Sequence, residues 1–160
     1  MEKDSCLAHF KKQYEPLRKK YKLPSFEELN KEFEIEKIQE KETELILREV
    51  RKSIGEKVGA FLRFFEAVLN PIVAPAFIMA ALKNFNNSDK EAIKENYQSL
   101  VEMELKSIKL DIDYNEKAEA QFIIQTLKNW QEIKPSLKVV IDSLSKVNVE
   151  GEKKRNSYMG

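Results

Sequence analysis

Apolar residues recur every three or four positions in almost every segment of this chain, which is the period of an α-helix rather than of a β-strand. The first stretch shows the pattern clearly, with alternate spacings of three and four residues at Leu7, Phe10, Tyr14, Leu17 and Tyr21. Only 4 glycines and 5 prolines occur in 160 residues, which is few for a protein built from short strands and turns. The pattern therefore predicts an all-α bundle of five to seven helices, mostly antiparallel because the connections between them are short.

An uninterrupted stripe of apolar residues at helical spacing predicts a long helix at about residues 43–69. Its apolar face widens after Val58, so we expect the first half to be half-exposed and the second half to be central in the bundle. Gly55 and Gly59 lie four residues apart on one side of this helix, where they allow another helix backbone to approach closely. That neighbouring helix belongs either to the same chain, which is favoured, or to a second chain.

Local signals mark where other helices begin and where they are interrupted. Ser25 with Glu28, and Ser88 with Glu91, have the spacing of capping boxes. Pro16 and Pro135 fall within helical stripes and predict a kink or a break. A chain of this length is typical of one domain, which we expect to cover residues 1–150. Within it we distinguish a basic N-terminal helical segment over 1–22 and a bundle over 26–150, followed by a solvated tail over 151–160.

The segment LNPIVAPAFIMAAL, residues 69–82, has no charged residue in a chain that is 34% charged. It is too short and too interrupted by prolines for a membrane span, which needs about 20 apolar residues. A buried helix–turn–helix is the simplest interpretation, and an interface with a second copy or with another protein is the alternative. The residues that would form this core or shared face are Phe61, Phe64, Phe65, Phe77, Gly55 and Gly59.

Side chains that carry catalysis or bind metals are sparse. Cys6 and His9 are the only cysteine and histidine, and two ligands cannot complete a zinc site. The sequence DIDYNEKAEAQF begins like a calcium loop, but Glu116 and Phe122 stand where that loop needs Gly and Glu. We expect instead that Asp113 or Asn115 caps the next helix.

Acidic residues are concentrated in one charged segment and are expected to be solvated there, namely Glu32, Glu34, Glu36 and Glu40. We predict no catalytic residue, no metal and no cofactor. An enzyme whose carboxylate site is assembled only by the fold remains an alternative.

The outer face of the first segment is basic, through Lys11, Lys12, Arg18, Lys19, Lys20 and Lys22. Such a face is able to contact nucleic-acid phosphates, but a net charge of +1 gives no general attraction to nucleic acid. A nucleic-acid accessory protein is thus a second, less favoured hypothesis. The leading hypothesis is a non-catalytic module for protein–protein interaction or self-association.

A single cysteine permits no internal disulfide, and the segment MEKDSCLAHFKKQ contains no apolar run of signal-peptide length. Both features favour a cytoplasmic protein.

The succession of ILREVRKSI, FLRFFEAVLNP, AFIMAALK and LDIDYNEKAEAQFI resembles small, uncharacterised all-helical proteins of archaea, over roughly residues 40–130. That resemblance implies an all-helical fold and brings no function or site residue with it.

Overall fold

A computed structural model describes the backbone of residues 2–40, 44–70, 72 and 74–157, and the side chains of 6–38, 44–70, 72 and 74–146. The described residues contain no strand, which confirms the all-α prediction. They form a short 3-10 helix, Ile35–Glu40, and six α-helices. The α-helices are α1 (Glu2–Tyr21), α2 (Phe26–Phe33), α3 (Ile46–Leu69), α4 (Ala76–Leu82), α5 (Asn87–Ile112) and α6 (Glu116–Ser157). In the part of the chain that the structure covers, no helix is long and apolar enough to cross a membrane.

Two of these helices continue through prolines. α1 passes Pro16, and α6 passes Pro135 to reach 42 residues, so of the two predicted outcomes, a kink or a break, the structure excludes the break. Both prolines are exposed. A backbone carbonyl that loses its helical partner to the proline ring is therefore still able to meet water, which lowers the cost of the interruption. Helix α3 is long, as predicted, but α6 is the longer of the two.

Capping explains where α2 and α5 begin. The Ser25 hydroxyl accepts the Glu28 backbone N–H at 3.2 Å, and the Glu28 carboxylate accepts the Ser25 backbone N–H at 2.8 Å, which confirms the first capping box. The second box lies two residues before its predicted position. There Asn86 and Asp89 exchange bonds of 2.8 and 3.0 Å between side chain and backbone. Asparagine caps a helix as well as serine does, so the helix begins at the earlier signal.

The chain packs into two compact units. Unit 1 comprises Met1–Ala60 and Glu102–Trp130, and unit 2 comprises Phe61–Val101 and Gln131–Gly160. The boundaries fall inside α3, α5 and α6, so neither unit is one continuous piece of chain.

Unit 1 surrounds the first half of α3 with side chains from several elements. Ser53 donates to the Phe33 carbonyl of α2 at 3.3 Å, and Arg51 contacts both α5 and α6. The apolar face of this half is fully buried, while Lys52 and Glu56 on the opposite face are exposed, as expected for a helix that exposes one side. The buried apolar residues of the unit include Phe10, Tyr14, Leu29, Phe33, Ile35, Leu47, Val50, Ile54, Ile123 and Trp130.

Unit 2 contains fewer elements, namely the end of α3, the short α4, the beginning of α5 and the later part of α6. Phe65 and Val68 are buried, but Phe61, Leu62 and Phe64 are only half-buried. The predicted central position of this half of α3 is therefore wrong, because three of its apolar side chains keep part of their surface exposed. The other buried apolar residues of the unit are Ile78, Ala81, Phe85, Ile93, Leu100, Leu137, Val140 and Leu144.

The buried face of α5 differs from the predicted one. The sequence pattern favours Ile93, Tyr97, Val101, Leu105 and Ile108. The structure instead buries Ile93, Asn96, Leu100, Met103 and Ser107. The inward face includes two polar residues, each with a partner: Asn96 donates to Ser136 at 2.9 Å, and Ser107 accepts from Arg51 at 2.9 Å. In α6 the helical period of the sequence favours an inward face of Ala120, Ile123, Leu127 and Trp130, and all four are buried.

Candidate functional site: an apolar groove with three lysines

A groove of about 380 Å³ opens in unit 2 where the end of α3, α4 and the first turns of α5 approach one another. Its floor is apolar and is formed by Val68, Leu69, Met79, Leu82 and Ile93. Binding pockets for small molecules and peptide side chains measure about 300–1,000 Å³ and have mainly apolar linings with a few polar groups. The groove therefore has the size and the lining of a binding site.

Three lysines, Lys83, Lys90 and Lys94, also line this groove. Lys90 and Lys94 are four residues apart on α5 and so project from the same helix face. Lys94 donates to the exposed Glu91 at 2.9 Å, a contact of little energetic weight because water screens both groups. Lys83 and Lys90 have no ion-pair partner among the described residues. The groove thus combines an apolar floor with unpaired positive charge.

The segment that leads into α4 exposes more apolar surface. Ile72 is 93% exposed and Phe77 is 51% exposed, while Leu69 and Met79 are also exposed. Ile78 and Ala81, on the other side of α4, are buried. In the charge-free segment 69–82, one side of α4 therefore packs into the core while the other side is exposed. Monomeric proteins rarely expose contiguous apolar patches unless the patch binds something, so the exposed side is a candidate binding surface.

The predicted interface residues do not lie together on one surface. Phe65 is part of the core, with its ring edge-on to that of Phe64 at 5.5 Å between centroids. Phe61 and Phe64 are half-buried, and among the four phenylalanines only Phe77 is largely exposed. The predicted interface residues do not include Met79, Leu82 or the three lysines of the groove. Their common surface is created by segments that are separated in sequence. The signals in the sequence are the charge-free run 69–82, which contains Met79 and Leu82, and the four-residue spacing of Lys90 and Lys94.

The two glycines of α3 belong to unit 1. A Cβ placed on Gly55 would lie 3.5 Å from the Ser107 hydroxyl of α5, so the helix that approaches this glycine belongs to the same chain. Gly59 is buried.

The basic face of α1 is partly neutralised within the chain. Lys11 pairs with Glu27 at 2.8 Å, Arg18 with Glu15 at 3.0 Å and Lys20 with Glu116 at 2.9 Å. The remaining three cations are exposed and have no ion-pair partner among the described residues: Lys12, Lys19 and Lys22. The two tyrosines of this segment are also engaged, because Tyr14 donates to the Pro24 carbonyl at 2.8 Å and Tyr21 to Glu116 at 2.6 Å.

A buried ionic cluster in unit 1 is the second candidate site. The Arg51 side chain is 1% exposed, and its Nε donates to Glu119 Oε2 at 2.7 Å. Its Nη1 donates to the Ser107 carbonyl at 3.0 Å and to the Ser107 hydroxyl at 2.9 Å, and its Nη2 donates to Asp111 Oδ1 at 2.6 Å. One guanidinium therefore links α3 to α5 and α6. The signal in the sequence was a charged residue between Leu47 and Ile54 on the apolar face of α3.

The two carboxylates of this cluster differ in their environment. Glu119 is fully buried, and burial raises the pKa of its carboxyl although the Arg51 guanidinium opposes that shift. Its second oxygen, Oε1, has no hydrogen-bond partner among the described residues. Asp111 is half-exposed, and the hydrogen bond from Arg51 lowers its pKa. Because both carboxylates bind the arginine, the cluster is suited to holding three helices together.

The acidic residues that the sequence predicts to be solvated differ in their exposure. Glu32 is buried and accepts the indole N–H of Trp130 at 3.0 Å, so its predicted solvation is wrong. Glu34 and Glu36 are exposed, and the Glu40 side chain lies outside the described residues.

The calcium-like loop also proves to be structural. Either Asp113 or Asn115 was expected to cap α6, and Asn115 does so by accepting the Ala118 N–H at 2.8 Å. Asp111, at the start of the loop, binds Arg51. Cys6 and His9 are both exposed. In the described ranges, no three His, Cys, Asp or Glu side chains are grouped so as to hold a metal ion.

Comparison of the chain with protein families, with curated proteins and with solved structures gives no match. The resemblance to archaeal helical proteins therefore stays a prediction, and the function has to be inferred from the groove itself.

Proposed function

We propose that this protein is a non-catalytic interaction module whose unit 2 groove binds an amphipathic helix of another protein, with acidic residues beside its apolar face. The observation that carries this proposal is the combination of an apolar floor of five residues with three lysines in one groove of about 380 Å³. An apolar helix face fits such a groove through side chains at positions i, i+3, i+4 and i+7. The lysines then favour a partner with carboxylates at the rim.

A helix fits the surface better than a small molecule does. A small ligand is mostly enclosed by its pocket, whereas exposed apolar side chains continue along this segment at Ile72 and Phe77, outside the groove lining. A partner of protein size is able to cover these residues as well. The exposed Cys6 is compatible with the reducing cytoplasm that we propose as the location.

The two alternatives have less support. For nucleic-acid binding, three of the six basic residues of α1 are already in ion pairs within the chain. For an enzyme with a carboxylate site, the buried carboxylate Glu119 is bound to Arg51, an arrangement that serves helix packing.

The experiment that tests the proposal is fluorescence anisotropy with a labelled, acidic amphipathic helical peptide and with a basic peptide of the same apolar pattern. We expect saturable binding of the acidic peptide and at least about tenfold weaker binding of the basic one, which corresponds to about 1.4 kcal/mol. Higher salt should weaken binding of the acidic peptide, because the lysines of the groove are open to solvent.

Two variants and one control assign the binding to the groove. Met79→Glu places a charge on the apolar floor, and Lys90→Glu reverses one charge of the rim, so each should weaken binding about tenfold. Val139→Glu is the control, because Val139 is also an exposed apolar residue but does not line the groove. Equal affinity for both peptides, or full binding by Met79→Glu, would contradict the proposal. Displacement of the peptide by a fatty acid of higher affinity would assign the groove to a small amphipathic anion instead.

A further inference from the structure

Helix α5 has a second apolar stripe that stays exposed within the part of the chain that the structure describes. Leu105 is 61% exposed, Ile108 is 47% exposed and Ile112 is 77% exposed. Their spacings of three and four residues place them on one helix face, away from the buried Met103 and Ser107. A helix on the surface of a protein normally has one apolar stripe, toward its own core. The second stripe is therefore available to another molecule.

Along one edge of this stripe lie two residues of opposite charge, Glu102 and Lys109. Glu102 and Lys109 are both exposed, are separated by two helical turns, and have no ion-pair partner among the described residues. Along the other edge, Asp111 is already bound by Arg51 at 2.6 Å. One edge therefore presents a negative charge before Leu105 and a positive charge after Ile108, neither of which has an ion-pair partner among the described residues.

We propose that the occupant of this stripe is a second copy of the same chain, with the two α5 helices antiparallel. A two-fold axis midway between Leu105 and Ile108 sets Leu105 of each copy against Ile108 of the other. The same axis brings Glu102 of each copy near Lys109 of the other, so that one sequence supplies both members of two ion pairs. Such self-complementarity is what a two-fold interface requires, because each residue i that contacts j is matched by j contacting i.

The residues of this stripe are not those of the groove in the proposed function. They belong to unit 1, whereas the residues that line the groove belong to unit 2. A variant of the stripe should therefore leave binding of the acidic peptide unchanged, and a variant of the groove should leave self-association unchanged. Failure of one proposal is thereby distinguishable from failure of the other.

The test is sedimentation equilibrium of the full chain at concentrations from about micromolar to about millimolar, a range that covers weak dimers. We expect a reversible monomer–dimer equilibrium. Leu105→Glu should weaken the dimer at least about tenfold, because it places two carboxylates in the seam. Val139→Glu is a matched control, since Val139 has the same 61% exposure as Leu105 but lies on α6 in unit 2. A monomer at every concentration overturns the proposal.

Charge reversal tests the antiparallel arrangement independently of the apolar contacts. Glu102→Lys alone and Lys109→Glu alone each turn two attractive pairs into two repulsive ones, and each should weaken the dimer about tenfold. The double variant restores opposite charges and should return the affinity to within about threefold of the original. Both residues are exposed, so circular dichroism should show the same helix content in all of these variants. A double variant as weak as either single variant overturns the antiparallel pairing.

Discussion

The two halves of α3 show how burial and apolar content diverge. Residues 46–60 include six charged side chains, and residues 61–69 include only two. Yet the apolar face of the first half is completely buried, whereas Phe61, Leu62 and Phe64 in the second half are half-buried and Leu69 is exposed. Burial here follows the number of elements around a helix rather than the composition of the helix itself. The exposed end of the second half, at Leu69, lines the groove that we assign to a binding partner.

The largest expected effect concerns Arg51, the buried charge in the first half of α3. Arg51→Met would leave the Glu119 carboxylate buried without its cationic partner and should lower the free energy of unfolding by about 3–5 kcal/mol. Adding Glu119→Leu removes the unpaired charge and should restore most of that loss, because apolar groups often replace a buried ion pair without cost. Urea denaturation measures both quantities.

The control for this prediction lies in the second half of the same helix. Arg63 is exposed, and Arg63→Met should change stability by about 0.5 kcal/mol or less. Similar losses for the two arginine variants would show that the two halves of α3 do not differ in the way described.

A pair of leucine variants compares the halves with identical chemistry. Leu47 is buried in the first half, and Leu47→Ala should cost about 2–5 kcal/mol through lost burial and the cavity left behind. Leu69 is exposed at the end of the second half, and Leu69→Ala should cost less than about 1 kcal/mol. Thermal or urea unfolding measures the difference. If Leu69→Ala proved as damaging as Leu47→Ala, the residue would belong to the core and not to a binding groove.

The smallest expected effect is a pH dependence of the free energy of unfolding. It should arise from Glu119, the partner of Arg51 in the first half of α3, and not from the second half. Because the pKa of Glu119 is raised by burial, the folded protein binds a proton on this carboxyl more readily than the unfolded chain does. Its contribution to the free energy of unfolding should fall as pH rises from the ordinary carboxyl pKa of about 4.3 to the raised folded pKa, and stay constant above it.

The measurement is the difference in unfolding free energy between the original protein and Glu119→Gln across this pH range. The slope from a single proton is at most about 1.4 kcal/mol per pH unit. Glu66→Gln, at an exposed position in the second half of α3, should show no such difference. A flat difference for Glu119→Gln would mean that Arg51 fully compensates the burial of this carboxylate.

How much the sequence reveals depends on whether a feature is local. Periodicity gives the helical class, and the Ser25 box gives the start of α2, because both depend on neighbouring residues. The buried face of α5 differs from the predicted one because Asn96 and Ser107 point inward, and polar residues are buried only when a partner satisfies their hydrogen bonds. Ser136 lies 40 residues from Asn96, so no local pattern reveals it.

The candidate site could be predicted only in part for the same reason. The unusual segment 69–82 was visible as a charge-free run, but its division into a buried and an exposed side depends on packing in three dimensions. The three lysines belong to the groove only because α4 and α5 approach one another. The cluster around Arg51 was detectable as a charge within an apolar stripe, although its carboxylate partners were not.

The discontinuity of the two units has a consequence for synthesis. Arg51 is made 68 residues before Glu119, and the first segment of unit 2 is translated in the interval. At elongation rates of about 5–20 residues per second, the arginine waits about 3 to 14 seconds for its partner. During that time α3 lacks its ion pair and the parts of α5 and α6 that complete unit 1, so the Arg51 side chain and the apolar surface that α5 and α6 later cover are open to chaperones.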